Sequence, residues 1–165
     1  MLSILIPVRN ESNSLADLFN YFDKNLDGID FEVIIINDFS DDDTLQKAKF
    51  LGQKNQKFKI LNNTKKGLGG AINFGINHST GEFLVIMMAD QSDDIEDLKK
   101  YYHLIKSENL DAVLGSRFMK SSRVSDYPLQ KLILNRIFNF FVSIIFLNSY
   151  NDYTNAFKIY KRQVL

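Results

Sequence analysis

The sequence predicts an α/β fold in which a mostly parallel sheet is covered by helices on both faces. Three features carry that prediction. Short continuous Ile/Leu/Val runs of strand length recur at 2–8, 31–36 and 83–88, as expected for strands buried on both faces. Helical periodicity fills the intervals between them, and strand–helix alternation of this kind calls for parallel pairing. Polar clusters then follow several of the apolar runs, where such sheets bind ligands.

Taken in order, residues 2–8 form the first strand. Ser12 or Asn13 is expected to cap a helix whose apolar positions Leu15, Leu18, Phe19, Phe22 and Leu26 share one face, and Gly28 ends it. Residues 31–36 give a second strand and run into the polar cluster 37–44. A helix with Leu45, Ala48 and Leu51 inward leads to a short strand at 58–61. The glycine-rich segment 65–70 opens a third helix, with Leu68, Ile72 and Ile76 on its apolar face. Residues 83–88 form a fourth strand, ending in the acidic turn 89–94. Ile95, Leu98, Tyr102 and Ile105 stripe the next helix, and 112–114 is a fifth strand.

Composition narrows the function classes. The chain has 165 residues, a length suited to a single domain, and its 45% hydrophobic content with 14 Phe excludes a disordered chain. Twenty basic residues balance twenty acidic ones, which argues against a nucleic-acid binder working by phosphate neutralisation. With no cysteine there is no disulfide, Cys-ligated zinc, thiol nucleophile or iron–sulfur cluster. The amino terminus lacks the basic region and apolar length of a signal peptide. The most apolar stretch, 129–147, is interrupted by Gln130, Lys131, Asn135, Arg136 and Asn139 and is too polar to span a bilayer. A cytoplasmic protein, soluble or resting at the cytoplasmic face of a membrane, is expected.

The polar clusters fall at three strand ends: 7–11, 37–44 and 89–94. Each alone fits ordinary helix capping; three converging on one rim point to a ligand site. No glycine stands in the turn after the first strand, so the dinucleotide fingerprint is absent, and no P-loop motif occurs. A bound nucleotide must therefore be held by side chains, helix ends and a cation. Asp90, Asp93 and Asp94 are the candidate carboxylates for Mg2+ or Mn2+, which take one or two carboxylates with phosphate and water oxygens.

In this order the motifs resemble the family 2 glycosyltransferases of GT-A fold, in the dolichyl-phosphate mannose synthase-like and polyprenyl-phosphate sugar synthase-like branch. Residues 3–11 (SILIPVRNE) are similar to the opening P-x-x-N-E signature, and 36–44 (INDFSDDDT) to V-D-D-x-S-x-D-x-T. Residues 66–71 (KGLGGA) resemble x-G-L-G-x-A, 115–118 (GSRF) G-S-R-F/Y, and 151–158 (NDYTNAFK) x-D-x-T-x-G-F-R. The resemblance implies a three-layer GT-A-like sandwich, a single catalytic domain over 1–165 whose carboxyl-terminal part lies beyond Leu165, and transfer of a sugar from a nucleotide-diphosphate donor with inversion. It implies that Pro7, Arg9 and Glu11 line the nucleotide pocket and that Asp38 bonds the base or ribose. Ala89 and Asp90 would sit at the diphosphate and metal, with Asp93 or Asp94 as a further ligand. Lys66 or Arg117 would offset diphosphate charge, while Arg117 and Asp152 would face the acceptor.

Four positions depart from the pattern. The usual D-x-D reads Met88-Ala89-Asp90, Asn37 replaces the first acid of the D-D pair, and Ala156 and Lys158 replace the Gly and Arg of G-F-R. The fourth is that related proteins continue past Leu165. A polyprenyl phosphate acceptor needs no general base, whereas a hydroxyl on a growing glycan would need one, for which Asp152 is the candidate. The stretch 129–147, with Lys131 and Arg136 near one end, suits a helix lying on a membrane near a lipid acceptor, or one covering other parts of the protein. His78 and His103 are expected on the surface. A non-catalytic nucleotide-sugar binding module with a degenerate metal site is the competing reading. A phospho-receiver domain lacks its acceptor Asp, because Leu61 leads into Asn62, Asn63 and Thr64.

Overall fold

The computed structural model describes residues 1–119 and 128–165. They form two compact units, Met1–Val113 with Ile159–Leu165, and Leu114–Lys158.

The first unit is built on a sheet of order β3-β2-β1-β4-β6-β5. Its strands are β1 (Leu2–Val8), β2 (Phe31–Asn37), β3 (Phe58–Asn62), β4 (Phe83–Ile86), β5 (Ala112–Leu114) and β6 (Lys158–Lys161). β1 pairs in parallel with β2 and β4, and β2 with β3. All seven residues of β1 are buried, as its unbroken apolar run requires of a strand covered on both faces.

Alternation along the strands sorts the layers. Leu5, Ile34, Ile36 and Leu84 share one face and pack on Ala71 of α3 (Leu68–His78). On the opposite face Phe58 stacks on Phe19 of α1 (Leu15–Asn25) at 4.1 Å between ring centroids. There too Phe83 meets Tyr102 of α4 (Ile95–Ser107) edge to face at 5.7 Å. α2 (Thr44–Gly52) lies beside β3 on that face, where Gly52 abuts Ile60. Helices therefore cover both faces, as the sequence predicts, and α4 buries Ile95, Leu98, Tyr102 and Ile105 as expected.

Four expectations are corrected. α1 starts at Leu15 with Ser14, not Ser12 or Asn13, at its N-cap, because Ser14 closes a turn onto the Glu11 carbonyl at 3.1 Å. α3 turns Ala71 and Gly75 inward and leaves Leu68 49% exposed. The helix sits so close to the sheet that a Cβ on Gly75 would lie 3.0 Å from Ile36 Cδ1, so small residues win the inner face. β4 ends at Ile86, two residues early, although the Met87 amide still bonds the Leu5 carbonyl at 3.0 Å. Finally β6, unforeseen in the sequence, pairs antiparallel with β4 and occupies the place beside it.

In the second unit the main element is α5 (Leu129–Ile145), whose only buried residue is Asn139. Phe138, Phe140, Phe141, Ile144 and Ile145 are all more than half exposed. This helix is inverted, polar within and apolar without. Among the described residues no helix is long and apolar enough to cross a membrane.

Candidate nucleotide and acceptor sites

In the first unit the strand tips are tied together before any ligand arrives. The Asp38 amide donates to the Val8 carbonyl at 2.8 Å and the Asn63 amide to the Asn37 carbonyl at 2.9 Å. The loops after β1 and β2 are stitched by their own side chains. Asn10 and Glu11 amides donate to Ser40 Oγ (3.0 Å) and Thr44 Oγ1 (2.8 Å), and the Asp41 amide donates to Asn10 Oδ1 (2.8 Å). Asp42, held at about pKa 2 by the Thr44 hydroxyl above all, accepts from that hydroxyl and from the Ser12 amide. Three non-glycine residues adopt left-handed backbone at this rim: Asn10, Phe39 and Gln91, with φ of 57°, 56° and 56°. They follow β1, β2 and the β4 segment respectively. For a ring as bulky as Phe39 that conformation is costly, and such strain gathers at functional sites.

Asp38 is the centre of the rim. Its side chain is 7% exposed. Oδ1 accepts from Asn63 Nδ2 at 2.8 Å, and the Gly67 amide is shared between Oδ1 (2.9 Å) and Oδ2 (3.0 Å). Gly67, at φ 112°, is the N-cap of α3, and its left-handed backbone is what aims that amide at the carboxylate. A Cβ on Gly70 would collide with the Lys65 carbonyl oxygen, so glycine at that position is a packing requirement of this loop. Pro7 is buried at the β1 tip, Glu11 is half-buried and accepts from Ser14 Oγ at 2.8 Å, and Arg9 and Lys66 are exposed. Of these predicted residues, Glu11 and Asp38 are tied into the bonds that join the strand-tip loops.

The acidic turn divides its three carboxylates. Asp93 Oδ2 accepts the Met88 amide at 3.0 Å, and Asp94 caps α4 by accepting the Glu96 amide at 2.7 Å. Asp90 is exposed, with Oδ1 accepting only the neighbouring Ser92 amide at 3.0 Å. Ala89 is buried beside it. Among the described residues no three His, Cys, Asp or Glu side chains gather as a ready-made metal cage.

The second unit holds the other predicted pair. Asp152, fully buried, accepts from Arg117 three times: Nε to Oδ2 at 2.9 Å, Nη2 to Oδ1 at 2.7 Å and the backbone amide to Oδ2 at 2.9 Å. Thr154 Oγ1 donates to Oδ1 at 3.2 Å and accepts from Arg117 Nη2 at 2.8 Å. Burial alone would push the Asp152 pKa up, but the Arg117 bonds and charge outweigh it and hold the carboxyl below its ordinary value. Arg136 and Arg117 lie 5.1 and 5.4 Å from the Phe118 ring centroid. Lys158 Nζ donates to the Tyr153 carbonyl at 3.0 Å, and burial lowers its pKa. Residues 114–158 carry six Lys or Arg against two Asp, although the whole chain is neutral.

Sequence reasoning missed Asn63, Thr154 and Asn139. Thr154 stands inside the motif at 151–158 and Asn63 three residues before the one at 66–71, which was the signal available for them. Asn139 had only its polarity in an apolar helix. His78 and His103 are exposed, as expected.

A model of glycosyl transferase family 2 matches residues 3–165. The chain is 32% identical over 136 residues to a dolichol-phosphate mannosyltransferase of Pyrococcus furiosus, covering 82% of this chain and 38% of that protein. Among solved structures it resembles TarS 1–349 of S. aureus (TM-score 0.68, 21% identity, 99% of this chain and 48% of that one). It also resembles glucosyl-3-phosphoglycerate synthase of Mycobacterium tuberculosis in complex with Mn2+, UDP and glucosyl-3-phosphoglycerate (TM-score 0.68, 17% identity, 100% and 58%). The chain thus spans about two-fifths of the Pyrococcus relative and about half of the TarS 1–349 chain. The parallel sheet with its polar rim is the GT-A arrangement, and with the match running from residue 3 to residue 165 the chain belongs to glycosyl transferase family 2.

Proposed function

We propose that the protein transfers a sugar from a nucleotide-diphosphate donor to an acceptor that is already an anion, of the polyprenyl phosphate kind, by direct displacement with inversion. One observation favours that acceptor over a glycan hydroxyl. A hydroxyl must lose its proton to a base whose pKa lies near the working pH. Asp152 is the acid of the motif, and both its oxygens are taken up by Arg117 with its pKa held low. Such a carboxylate is a poor base and a good brace for a guanidinium. An acceptor phosphate needs only the brace: its oxygen attacks the anomeric carbon as the bond to the diphosphate oxygen breaks.

In this reading Asp38 accepts from the base or ribose, and Arg9 and Glu11 border the nucleotide. Lys66 sets positive charge against the diphosphate, and Arg117, held by Asp152 and Thr154 through Nε and Nη2, presents its guanidinium charge to the acceptor phosphate. Asp90 is the carboxylate for Mg2+ or Mn2+, with Asp93 of the same turn as the further candidate. One or two carboxylates with phosphate oxygens are the usual donor set for these ions, and Asp90 beside Ala89 fits it. When bound, the cation supplies charge stabilisation to the departing diphosphate. The names of the Pyrococcus mannosyltransferase and of the Mn2+- and UDP-bound synthase accord with this donor and acceptor chemistry. The exposed apolar face of α5, together with the basic excess of 114–158, suits contact with an anionic membrane surface at its cytoplasmic face.

The test is a thermal-shift panel of UDP-, GDP- and dTDP-sugars with and without Mn2+, run on the parent and on Asp90→Asn, then transfer to a polyprenyl phosphate. A ligand at 100 times its Kd stabilises by about 2.7 kcal/mol, and Asp90→Asn should lose the Mn2+ increment. Binding without transfer would leave the competing reading, a nucleotide-sugar binding module whose acidic turn has lost its first acid to Met88. No stabilisation by any donor would refute both.

A further inference from the structure

The inversion of α5 has a cause that the proposed chemistry leaves unused. Asn139 is 3% exposed in a helix whose large apolar side chains face outward. An amide there costs helix propensity and desolvation unless both of its ends are satisfied. They are. Nδ2 donates to the Asn135 carbonyl at 2.8 Å, and Oδ1 accepts the backbone amide of Tyr153 at 2.6 Å. Lys158 Nζ holds the other side of the same residue, at the Tyr153 carbonyl, 3.0 Å away. The Tyr153 hydroxyl is buried and makes no hydrogen bond among the described residues, so the segment is anchored there by its backbone and not by the phenol. Immediately on either side of this clamped residue stand Asp152 and Thr154, the two side chains that orient the Arg117 guanidinium.

We propose that Asn139 is a positioning residue: by fixing the Tyr153 backbone it fixes Asp152 and Thr154, and through them the direction of Arg117. The helix that displays the apolar face thereby sets the geometry of the arginine. This rests on the reading that Arg117 meets the acceptor. Side chains that reach a reacting group only through a supporting shell depend on that shell for their alignment. Asn139 is bonded to the backbone of the segment that forms such a shell, and it touches neither Arg117 nor any nucleotide-site residue through a hydrogen bond.

The experiment uses the whole chain and Asn139→Leu, which is similar in size and a better helix former but cannot accept the Tyr153 amide. Hydrogen exchange followed by NMR reads two protons, the Tyr153 amide and Arg117 Nε–H, since protection reports local opening. The expected result is at least a tenfold loss of protection at both. Nucleotide-sugar Kd should stay within twofold while kcat for transfer to polyprenyl phosphate falls at least tenfold. Loss at Tyr153 with Arg117 Nε–H still protected would overturn the proposal, as would full protection at both. An equal loss of donor affinity would overturn it too, by revealing a general structural role. If Asn139→Leu does not fold, Asn139→Asp keeps an acceptor oxygen: protection retained at both protons supports the clamp, and protection lost at both overturns it. A parent chain that transfers nothing would defeat the acceptor reading, while the exchange measurements would still decide the clamp.

Discussion

In the proposed reading Asp38 serves the fold and the nucleotide through different atoms, and a pair of substitutions separates the two. Oδ1 is the shared acceptor for Asn63 Nδ2 (2.8 Å) and the Gly67 amide (2.9 Å), while Oδ2 has only the longer branch of the Gly67 bond (3.0 Å). Asp38→Ala removes both acceptors at once. Hydrogen bonds to a charged group contribute about 1.5–3 kcal/mol each. Asn63 retains its bond to the Lys65 carbonyl, and Gly67 is only half-buried, so water recovers part of the loss. The expected destabilisation is therefore about 2–4 kcal/mol. Asp38→Asn with its oxygen in the Oδ1 place keeps an acceptor for both donors, but it replaces the Oδ2 branch of the Gly67 bond by an NH2 group and gives up charge assistance, for about 1 kcal/mol.

Ligand binding should rank the same two variants differently. The amide nitrogen of Asp38→Asn stands where Oδ2 stood and cannot accept from a base N–H or a ribose hydroxyl. Nucleotide affinity should then fall by about 1.5–3 kcal/mol, roughly 10- to 150-fold in Kd, with little change in stability. Urea titration gives the first quantity, and calorimetry with UDP and GDP in the presence of Mn2+ gives the second. Parental nucleotide affinity in a folded Asp38→Asn would remove Asp38 from the nucleotide contact. Parental stability of Asp38→Ala would show that the Asn63 and Gly67 bonds do not hold the rim.

Two further outcomes follow from the second unit. Because the folded-state pKa of Asp152 lies below its unfolded value, its contribution to stability is fully present above an unfolded pKa of about 3.9 and is lost as pH falls through the folded value. Urea midpoints should therefore drop on acidification below about pH 4 in the parent, and Asp152→Asn should be less stable at pH 7 with a flatter acid limb; superimposable acid limbs would refute this. Anionic liposomes should co-sediment with the chain at low salt and release it at high salt, each nearby Lys or Arg adding about 1 kcal/mol. Replacing Phe138 and Phe141, 53% and 59% exposed, by Ser should weaken the association further, and parental binding of that double variant would place lipid elsewhere.

What could be read from the sequence was what local pattern encodes. β1 and α4 were legible because a run of Ile and Leu, or an i, i+3, i+4 stripe, has one geometric solution. The rim was legible for a different reason: polar clusters after buried strands have few structural uses other than caps and ligands. The inner face of α3 was misread because closeness, not hydrophobicity, selects Ala71 and Gly75 where a Cβ has 3.0 Å to the nearest Ile36 carbon. β6 was invisible because four residues, Lys158 to Lys161, carry no run or alternation strong enough to call for a strand, and their pairing with β4 spans more than seventy residues of chain. Asp152 was found as a residue, but its bonds to Arg117 were not legible, since they join positions 35 apart.

The zero net charge of the chain, informative at the level of class, conceals the feature on which the acceptor reading turns. Within 114–158 basic residues outnumber acidic ones six to two, leaving fourteen against eighteen in the remainder. Several acids of that remainder stand at the rim. Asp38 holds the Gly67 turn, Asp42 staples two loops, Asp93 and Asp94 cap backbone, and Asp90 is exposed and accepts the Ser92 amide. Of the basic residues, Arg117 and Lys158 are bonded within their unit, whereas Lys131 and Arg136 are exposed on α5 itself, whose exposed phenylalanines find no cover among the described residues of that unit. A surface both cationic and apolar fits a ligand that is both anionic and apolar. A polyprenyl phosphate in a bilayer has that combination, and a soluble sugar hydroxyl has neither part of it. The charge count and the occupied oxygens of Asp152 are independent observations, and they favour the same acceptor.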